Sequence, residues 1–361
     1  MSKTVLLSAG GTGGHLFPAQ ALAEEMRKRG WQVHLATDPR AERFVSAFHA
    51  DGVHIIKSAT FSGKNPIALA KTFSRLGWGY VSSRRLISNL KPDVVVGFGG
   101  YPTVPPLLAA VHKKVPTILH EQNAIMGRAN RFLADKVMAI ASGFDIANSS
   151  DFASAPITVT GNPLRPIAHE AAKHSYVEPT PTGPFNLLVF GGSQGARFFS
   201  KVMPAAIALL DDNSASRLIL TLQARPEDAV EARSALTRLN VEARVEEFFP
   251  NLPELVAQAH LVICRSGASS VSELALIGRP SILVPLPGAL DDDQGANAAQ
   301  LAELGGGFLE RQAGLTPERL ATLLNSAMKR PEALAKQAKN AKKAGVPDAA
   351  QRLADLVLAH G

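Results

Sequence analysis

The chain has 361 residues, 46% hydrophobic and 19% charged, a globular composition too long for one ordinary α/β domain and comfortable for two. Its single cysteine, Cys264, excludes an internal disulfide framework, no Cys/His cluster has zinc spacing, and no stretch reaches the roughly 18 apolar residues of a membrane span. The formal net charge of +7 comes without a Lys/Arg block interleaved with aromatics. A phosphorylated substrate or an anionic membrane surface explains it as well as nucleic acid does, and so does the ordinary basicity of many soluble proteins; the partners expected are the first two, and not nucleic acid.

The chain starts on an apolar run that lacks the basic flank and cleavage site of a signal peptide. Residues 5–9 read as a strand buried on both faces. Residues 17–29 have helical periodicity and stop at Gly30, a natural C-cap. Strands are expected at 33–37, 53–57, 94–97, 117–119 and 136–140 with helices between them, the pattern of a parallel sheet covered by helices. Residues 161–184 hold Gly161, Pro163, Pro166, Pro179, Pro181, Gly183 and Pro184, a linker composition. The alternation then restarts, with strands at 186–190, 218–222, 243–246, 261–264 and 281–284. Helices are expected from about Ala196 and over 226–239 and 269–277. About 45 further residues are helical in pattern and rich in Ala and Lys.

The two halves open alike. Leu6-Leu7-Ser8-Ala9-Gly10-Gly11-Thr12-Gly13-Gly14 is matched by Leu187-Leu188-Val189-Phe190-Gly191-Gly192-Ser193-Gln194-Gly195. Each reads as strand, glycine loop, helix. The expected fold is α/β, two Rossmann-like parallel-sheet domains facing a central ligand cleft.

Six segments carry candidate chemistry. Glycines in the loop ending at His15 let backbone N–H groups approach a ligand, and a helix N-terminus favours anions. The loop is not a dinucleotide fingerprint, because the third glycine would fall on Leu16. His15 reads either as a general base near pH 7 or as a helix-start histidine bonded to its own loop. Gly97-Phe98-Gly99-Gly100-Tyr101-Pro102 follows a strand and reads as a close-approach loop or a tight turn. His120-Glu121-Gln122-Asn123 places four polar residues at a strand end, suited to sugar hydroxyls or a diphosphate. Gly191–Gly195 is phosphate-cradling in type without being a P-loop, and Arg165 is a cation for the same phosphates. Arg265 to Glu273 forms another anion-receptive helix start, with Glu273 placed either to bind a ribose diol or to compensate the helix dipole. In Asp291-Asp292-Asp293-Gln294-Gly295-Ala296-Asn297 one aspartate suits an N-cap rather than a metal. Gln294 and Asn297 share a helix face suited to sugar hydroxyls.

In order, GGTGGH, GFGGY, HEQN, GNPLR, GGSQGA, RSGASSVSE and DQGANA resemble the MurG family of undecaprenyldiphospho-muramoylpentapeptide β-N-acetylglucosaminyltransferases over nearly the whole chain. The resemblance implies a GT-B fold and inverting transfer of GlcNAc from UDP-GlcNAc to lipid I, the polyprenyl-diphosphate-linked acceptor, to give lipid II. It implies no cofactor and no metal site, and peripheral residence at the cytoplasmic face of the cell membrane. The domains it implies are 1–163, for acceptor and membrane, and 164–344, for UDP-GlcNAc, with a helix over about 345–361 packing back on the first.

The site residues follow by the same resemblance. Thr12, Gly13 and Gly14 match a donor-contacting loop and His15 the family's proposed base or acceptor-site histidine. On chemical grounds the acceptor proton goes to His15 or, as the alternative, to the His120/Glu121 pair. Asn123 matches a donor-sugar contact, Arg165 and Ser193 diphosphate contacts, and Phe249 a backbone contact to uracil. Glu273 matches the ribose carboxylate and Gln294 a hexose contact. The chain has Asp293-Gln294 where some relatives carry Gln-Gln, and Ser269-Ser270 where some carry Leu-Thr. Lys71, Phe73, Arg75, Leu76, Trp78, Tyr80, Arg84 and Arg85 mix aromatics and cations as a membrane-docking patch does. The rival readings are a glycolipid synthase, a UDP-GlcNAc epimerase and, through Asp38 as a ribose ligand, an NAD-dependent oxidoreductase.

Overall fold

The computed structural model describes residues 2–41, 48–56, 66–147, 154–288 and 291–361, and the side chains among these outside 66–75 and 192–195. Two parallel sheets organise the chain. The first holds β1 (Thr4–Ser8), β2 (Gln32–Thr37), β3 (Gly52–Ile55), β4 (Val94–Gly97), β5 (Thr117–Glu121), β6 (Ala139–Ser142) and β7 (Ile157–Val159), in the order β3-β2-β1-β4-β5-β6-β7. The second holds β8 (Phe185–Phe190), β9 (Leu218–Gln223), β10 (Glu242–Glu246), β11 (Leu261–Cys264), β12 (Ser281–Leu283) and β13 (Phe308–Leu309), in the order β10-β9-β8-β11-β12-β13.

The continuous apolar runs have a direct cause. Side chains alternate across a strand, and in β1 Val5 and Leu7 enter one core while Leu6 enters the other. The central strands β1, β4, β5 and β6 are buried on both faces, so none of their positions is left for a polar outward residue, whereas the outer strands β2, β3 and β7 carry exposed positions. The second sheet packs Leu187, Val189, Leu220, Leu222 and Ile263 against Phe199, Met203 and Leu320.

In each sheet the strand order reverses once, between β1 and β4 and between β8 and β11. At such a switch point neighbouring crossovers leave in opposite directions and open a crevice at the strands' carboxyl ends. The loops after β1, β4, β8 and β11 are the glycine-rich and small-residue segments singled out in the sequence.

The chain divides into two compact units, residues 1–165 with 347–361, and residues 166–346. The segment expected as linker therefore starts inside the first unit. Gly161, Asn162, Pro163 and Leu164 are buried, and Asn162 donates from Nδ2 to the Gln122 carbonyl at 3.0 Å. The glycine is there for its backbone, at φ 79°. Helices Pro317–Lys329 and Pro331–Ala344 lie in the second unit, whereas Ala349–Leu358 packs on helix Gly13–Lys28. Its Leu353, Ala354 and Val357 enter the core of the first sheet, and Asp355 pairs with Arg29.

Candidate functional site

Helix Gly13–Lys28 begins four residues before the expected start, so Thr12, Gly13, Gly14 and His15 form its N-cap and first turn. The first N–H groups of a helix are its anion-receptive donors, and here His15 N already bonds the Thr12 carbonyl at 3.1 Å. Thr12 occupies the N-cap position without a side-chain capping bond and is exposed. A β-carbon on Gly13 would come within 2.9 Å of the Phe17 ring, whereas one on Gly14 would meet nothing within 4 Å among the described residues.

His15 is half-buried, and its Nδ1 lies 3.1 Å from Gln122 Oε1. Its ring rests on three glycines: β-carbons built on Gly10, Gly99 and Gly100 would stand 3.3, 3.4 and 3.3 Å from it. Gly99 and Gly100 also have φ of 86° and 78°, so the loop after β4 needs glycine for its backbone and for the imidazole beside it. The two loops at the first switch point thus meet around one histidine.

β5 runs two residues further than its apolar pattern, taking in His120 and Glu121, which are 0% and 2% exposed. His120 Nε2 bonds the Gly161 carbonyl at 3.3 Å, and burial pulls its pKa down to about 4. Glu121 receives four N–H donors. Asn123 donates from its backbone and from Nδ2 to Oε1 at 2.9 and 3.2 Å, while Gly127 N and Asn130 Nδ2 reach Oε2 at 3.0 and 2.8 Å. A buried carboxylate so engaged orders its loop and has no outward lone pair for a substrate proton. The expectation of a catalytic Glu121 thus meets a carboxylate whose bonds order its own loop, next to half-buried Asn123. Asn130, unremarked in the sequence, joins β5 to helix Arg128–Leu133, and a buried amide on an otherwise apolar helix face was its only signal.

Asp38 is also committed. Gly11 N donates to it at 3.0 Å and Arg40 through Nε and Nη2 at 2.9 Å each. Against the upward pull of burial, the bonds from Arg40 and Gly11 hold this carboxyl below its usual range. A residue that braces the glycine loop in this way is not available as a nucleotide ribose ligand, which removes the support for a nicotinamide enzyme.

The second unit repeats the device. Helix Gly192–Ile207 starts directly after β8, again four residues earlier than expected. Ser193 thus belongs to its first turn by backbone, and its side chain lies outside the described residues. After β11, helix Ala268–Ile277 starts without a side-chain cap and carries Glu273, 8% exposed, in its second turn. Arg265 bonds the carbonyls of Val284 and Pro285 at 3.1 and 3.0 Å and lies over Phe198 and Phe199, pinning the loop after β12.

Gln294 Oε1 accepts from Leu286 N at 3.0 Å. Asn297 does not face outward as expected; it is fully buried and donates to the Ser266 carbonyl. Asp292 sits at the N-cap position at φ 46° without a side-chain cap, and Arg311 pairs with both its oxygens at 2.6 and 2.7 Å. Phe249 is buried after β10 with Arg244 over its ring. Arg165, at the end of the first unit, lies 4.2 Å over the Phe17 ring.

Two α/β halves of this type, each with a helix start at its switch point, belong to the nucleotide-sugar enzyme class. Residues 5–142 match the glycosyltransferase family 28 N-terminal domain and residues 186–353 its C-terminal domain. The chain belongs to glycosyltransferase family 28. It is 58% identical over 98% of its length to a Brucella canis protein, UDP-N-acetylglucosamine--N-acetylmuramyl-(pentapeptide) pyrophosphoryl-undecaprenol N-acetylglucosamine transferase, and covers 93% of that chain. The crystal structure of Acinetobacter baumannii MurG superposes with a TM-score of 0.79 at 29% identity, over 99% of each chain. The glycotransferase of kitacinnamycin, at 20% identity and TM-score 0.75 over 100% of this chain and 99% of that one, shows the same fold. The resemblance to the MurG family and the GT-B fold expected from the motifs are borne out.

Proposed function

We propose that the chain transfers N-acetylglucosamine from UDP-GlcNAc to the 4-hydroxyl of the N-acetylmuramyl-(pentapeptide) group of lipid I, forming lipid II with inversion at the anomeric carbon. The observation that carries the mechanism is His15, a half-buried imidazole seated on glycines at the first switch point, with one nitrogen bonded to Gln122. The acceptor oxygen attacks the anomeric carbon, the bond from that carbon to the UDP oxygen breaks, and the acceptor proton passes to His15 Nε2. Negative charge grows on the departing diphosphate. The N–H groups starting helix Gly192–Ile207, with Ser193 and Arg165, stabilise it, each such donor contributing on the order of 3 kcal/mol to the barrier. Glu273 takes the ribose, the Phe249 backbone the uracil, and Gln294 and Asn123 the sugar, while Thr12, Gly13 and Gly14 close on the donor. No organic cofactor enters these steps. In this reading the first unit is the acceptor half and the second the donor half.

The acceptor is a lipid, and helix Pro66–Leu90 supports docking at the cytoplasmic face of the membrane. It turns Trp78, 66% exposed, and Val81 outward beside exposed Arg84 and Arg85, and buries Ser83 and Ile87 behind them. Lys71, Phe73 and Arg75 fall where side chains lie outside the described residues. Among the described residues no helix is long and apolar enough to cross a membrane. Trp78→Glu should weaken co-sedimentation with vesicles containing anionic lipid at least tenfold, while turnover of a short-chain, water-soluble acceptor stays unchanged.

The function is tested with labelled UDP-GlcNAc and a lipid I analogue. Wild type should form the disaccharide product, and His15→Ala should cut kcat by about 10²–10⁴ with UDP affinity retained. Conversion of UDP-GlcNAc without acceptor would instead identify an epimerase.

A further inference from the structure

Gln122 is buried, yet its side chain bridges two imidazoles. The amide nitrogen lies 3.0 Å from His120 Nδ1 and 3.0 Å from the His120 backbone carbonyl, and the amide oxygen lies 3.1 Å from His15 Nδ1. A backbone carbonyl can only accept a hydrogen bond. The NH₂ end of Gln122 must therefore face His120, however the amide is drawn.

The far end of the chain leads to the same orientation independently. His120 Nε2 bonds the Gly161 carbonyl, again an acceptor only, so the His120 proton sits on Nε2 and its Nδ1 is a bare acceptor. Full burial keeps this ring neutral, so it does not carry a second proton near pH 7. Nδ1 then needs a donor, and the Gln122 NH₂ group supplies it. With that end fixed, Gln122 Oε1 accepts, and the proton between it and His15 belongs to His15 Nδ1. Protons run in one direction through the chain, from His15 to Gln122, from Gln122 to His120, and from His120 to Gly161.

We propose that Gln122 and His120 are positioning residues that lock His15 in the tautomer protonated on Nδ1, so that Nε2 presents its lone pair to the acceptor hydroxyl. The proposal rests on the reading of His15 as the base. Its chemical point is that an imidazole in water prefers its proton on Nε2, the nitrogen that must be empty here. An orienting partner on Nδ1 reverses that preference before substrate arrives. The three glycines leave room for the ring in this orientation. The same logic governs hydrolytic triads, where an orienter that imposes the wrong tautomer costs about 10⁴ in kcat. Here the orienter is neutral, and a smaller loss is expected.

The test reads the tautomer directly. In the full-length chain labelled with ¹⁵N-histidine, long-range ¹H–¹⁵N correlation at a pH where His15 is neutral should show its proton on Nδ1, with the signal assigned by its absence in His15→Gln. A proton on Nε2 in the wild type overturns the proposal, and this arm needs no variant at Gln122. Gln122→Met, close in volume, should move His15 toward the Nε2-protonated form. It should lower kcat about ten- to a hundredfold while the KM for UDP-GlcNAc holds within about threefold. An unchanged tautomer or unchanged kcat in Gln122→Met also overturns it. The two readings fail separately: full turnover in His15→Ala would end the base assignment and leave the tautomer signal as it was.

Discussion

At the scale of single residues, burial sets a pH dependence. His120 stays neutral in the fold down to about pH 4, whereas in the unfolded chain it takes up a proton near its ordinary value of 6.5. A base with a depressed folded pKa contributes stability that is fully present above 6.5 and is withdrawn as pH falls from 6.5 toward 4. The withdrawal amounts to on the order of 3 kcal/mol. Urea unfolding between pH 7 and 4 should show His120→Gln losing stability less steeply than wild type, and parallel slopes would contradict this. Gly14 supports a second prediction. Nothing among the described residues fills the space beside it, so Gly14→Ala should leave the melting temperature unchanged or slightly raised. It should nevertheless raise the KM for UDP-GlcNAc about tenfold, because the added methyl occupies the donor's approach. An unaltered KM would remove Gly14 from the site. His15 stands out in the sequence as a histidine closing a glycine loop, where a general base and a helix-start residue bonded to its own loop read alike. The surroundings of Glu121 were not legible because polar residues after an apolar run usually mark the exit of a strand. Here the strand continues inward, and Asn130, from a helix that the motifs do not touch, satisfies the carboxylate.

At the scale of elements, both glycine-loop helices begin four residues before their periodicity shows. Glycine has low helix propensity and reads as loop, but the first turn has no internal N–H bonds to satisfy, so it tolerates glycine. The difference matters for function, since it moves Thr12, Gly13, Gly14 and Ser193 from a connecting loop to the donor-rich end of a helix. The edge strands β7 and β13, three and two residues long, carry no alternating pattern of their own and exist through pairing with β6 and β12. The second unit has its own brace at Arg279. Its guanidinium, pulled down to about 10 by burial, bonds the carbonyls of His174, Ser175, Ala257, Ile277 and Gly278. It closes the C-terminal end of helix Ala268–Ile277 and ties it to helix Leu252–Gln258. Arg279→Leu fills similar volume but leaves these carbonyls without a donor. It should lower the stability of the second unit by about 3 kcal/mol or more in urea titration, with the first unit's transition unmoved.

At the scale of the molecule, the two sheets were legible from alternation and from the repeated glycine motif, because each half must bury its strands on both faces. The boundary was less so. Glycine and proline over 161–184 suggested one linker, yet residues 161–164 are buried structure carrying the carbonyl that holds His120. Helix Ala349–Leu358 gives the first unit part of its core, with Leu353 and Val357 fully buried. Deleting residues 347–361 should weaken that unit by on the order of 5 kcal/mol. Both tryptophans, Trp31 and Trp78, lie in it, so their fluorescence should show an early transition while far-UV circular dichroism retains the second unit's later one. The same arrangement dictates an order of events at the ribosome. The half that begins synthesis must wait, with the apolar flank of helix Gly13–Lys28 uncovered, until the entire other half has been made and the closing helix has followed it out of the exit tunnel. The later-made half should therefore reach its native state first, and the earlier one is the natural client of a chaperone.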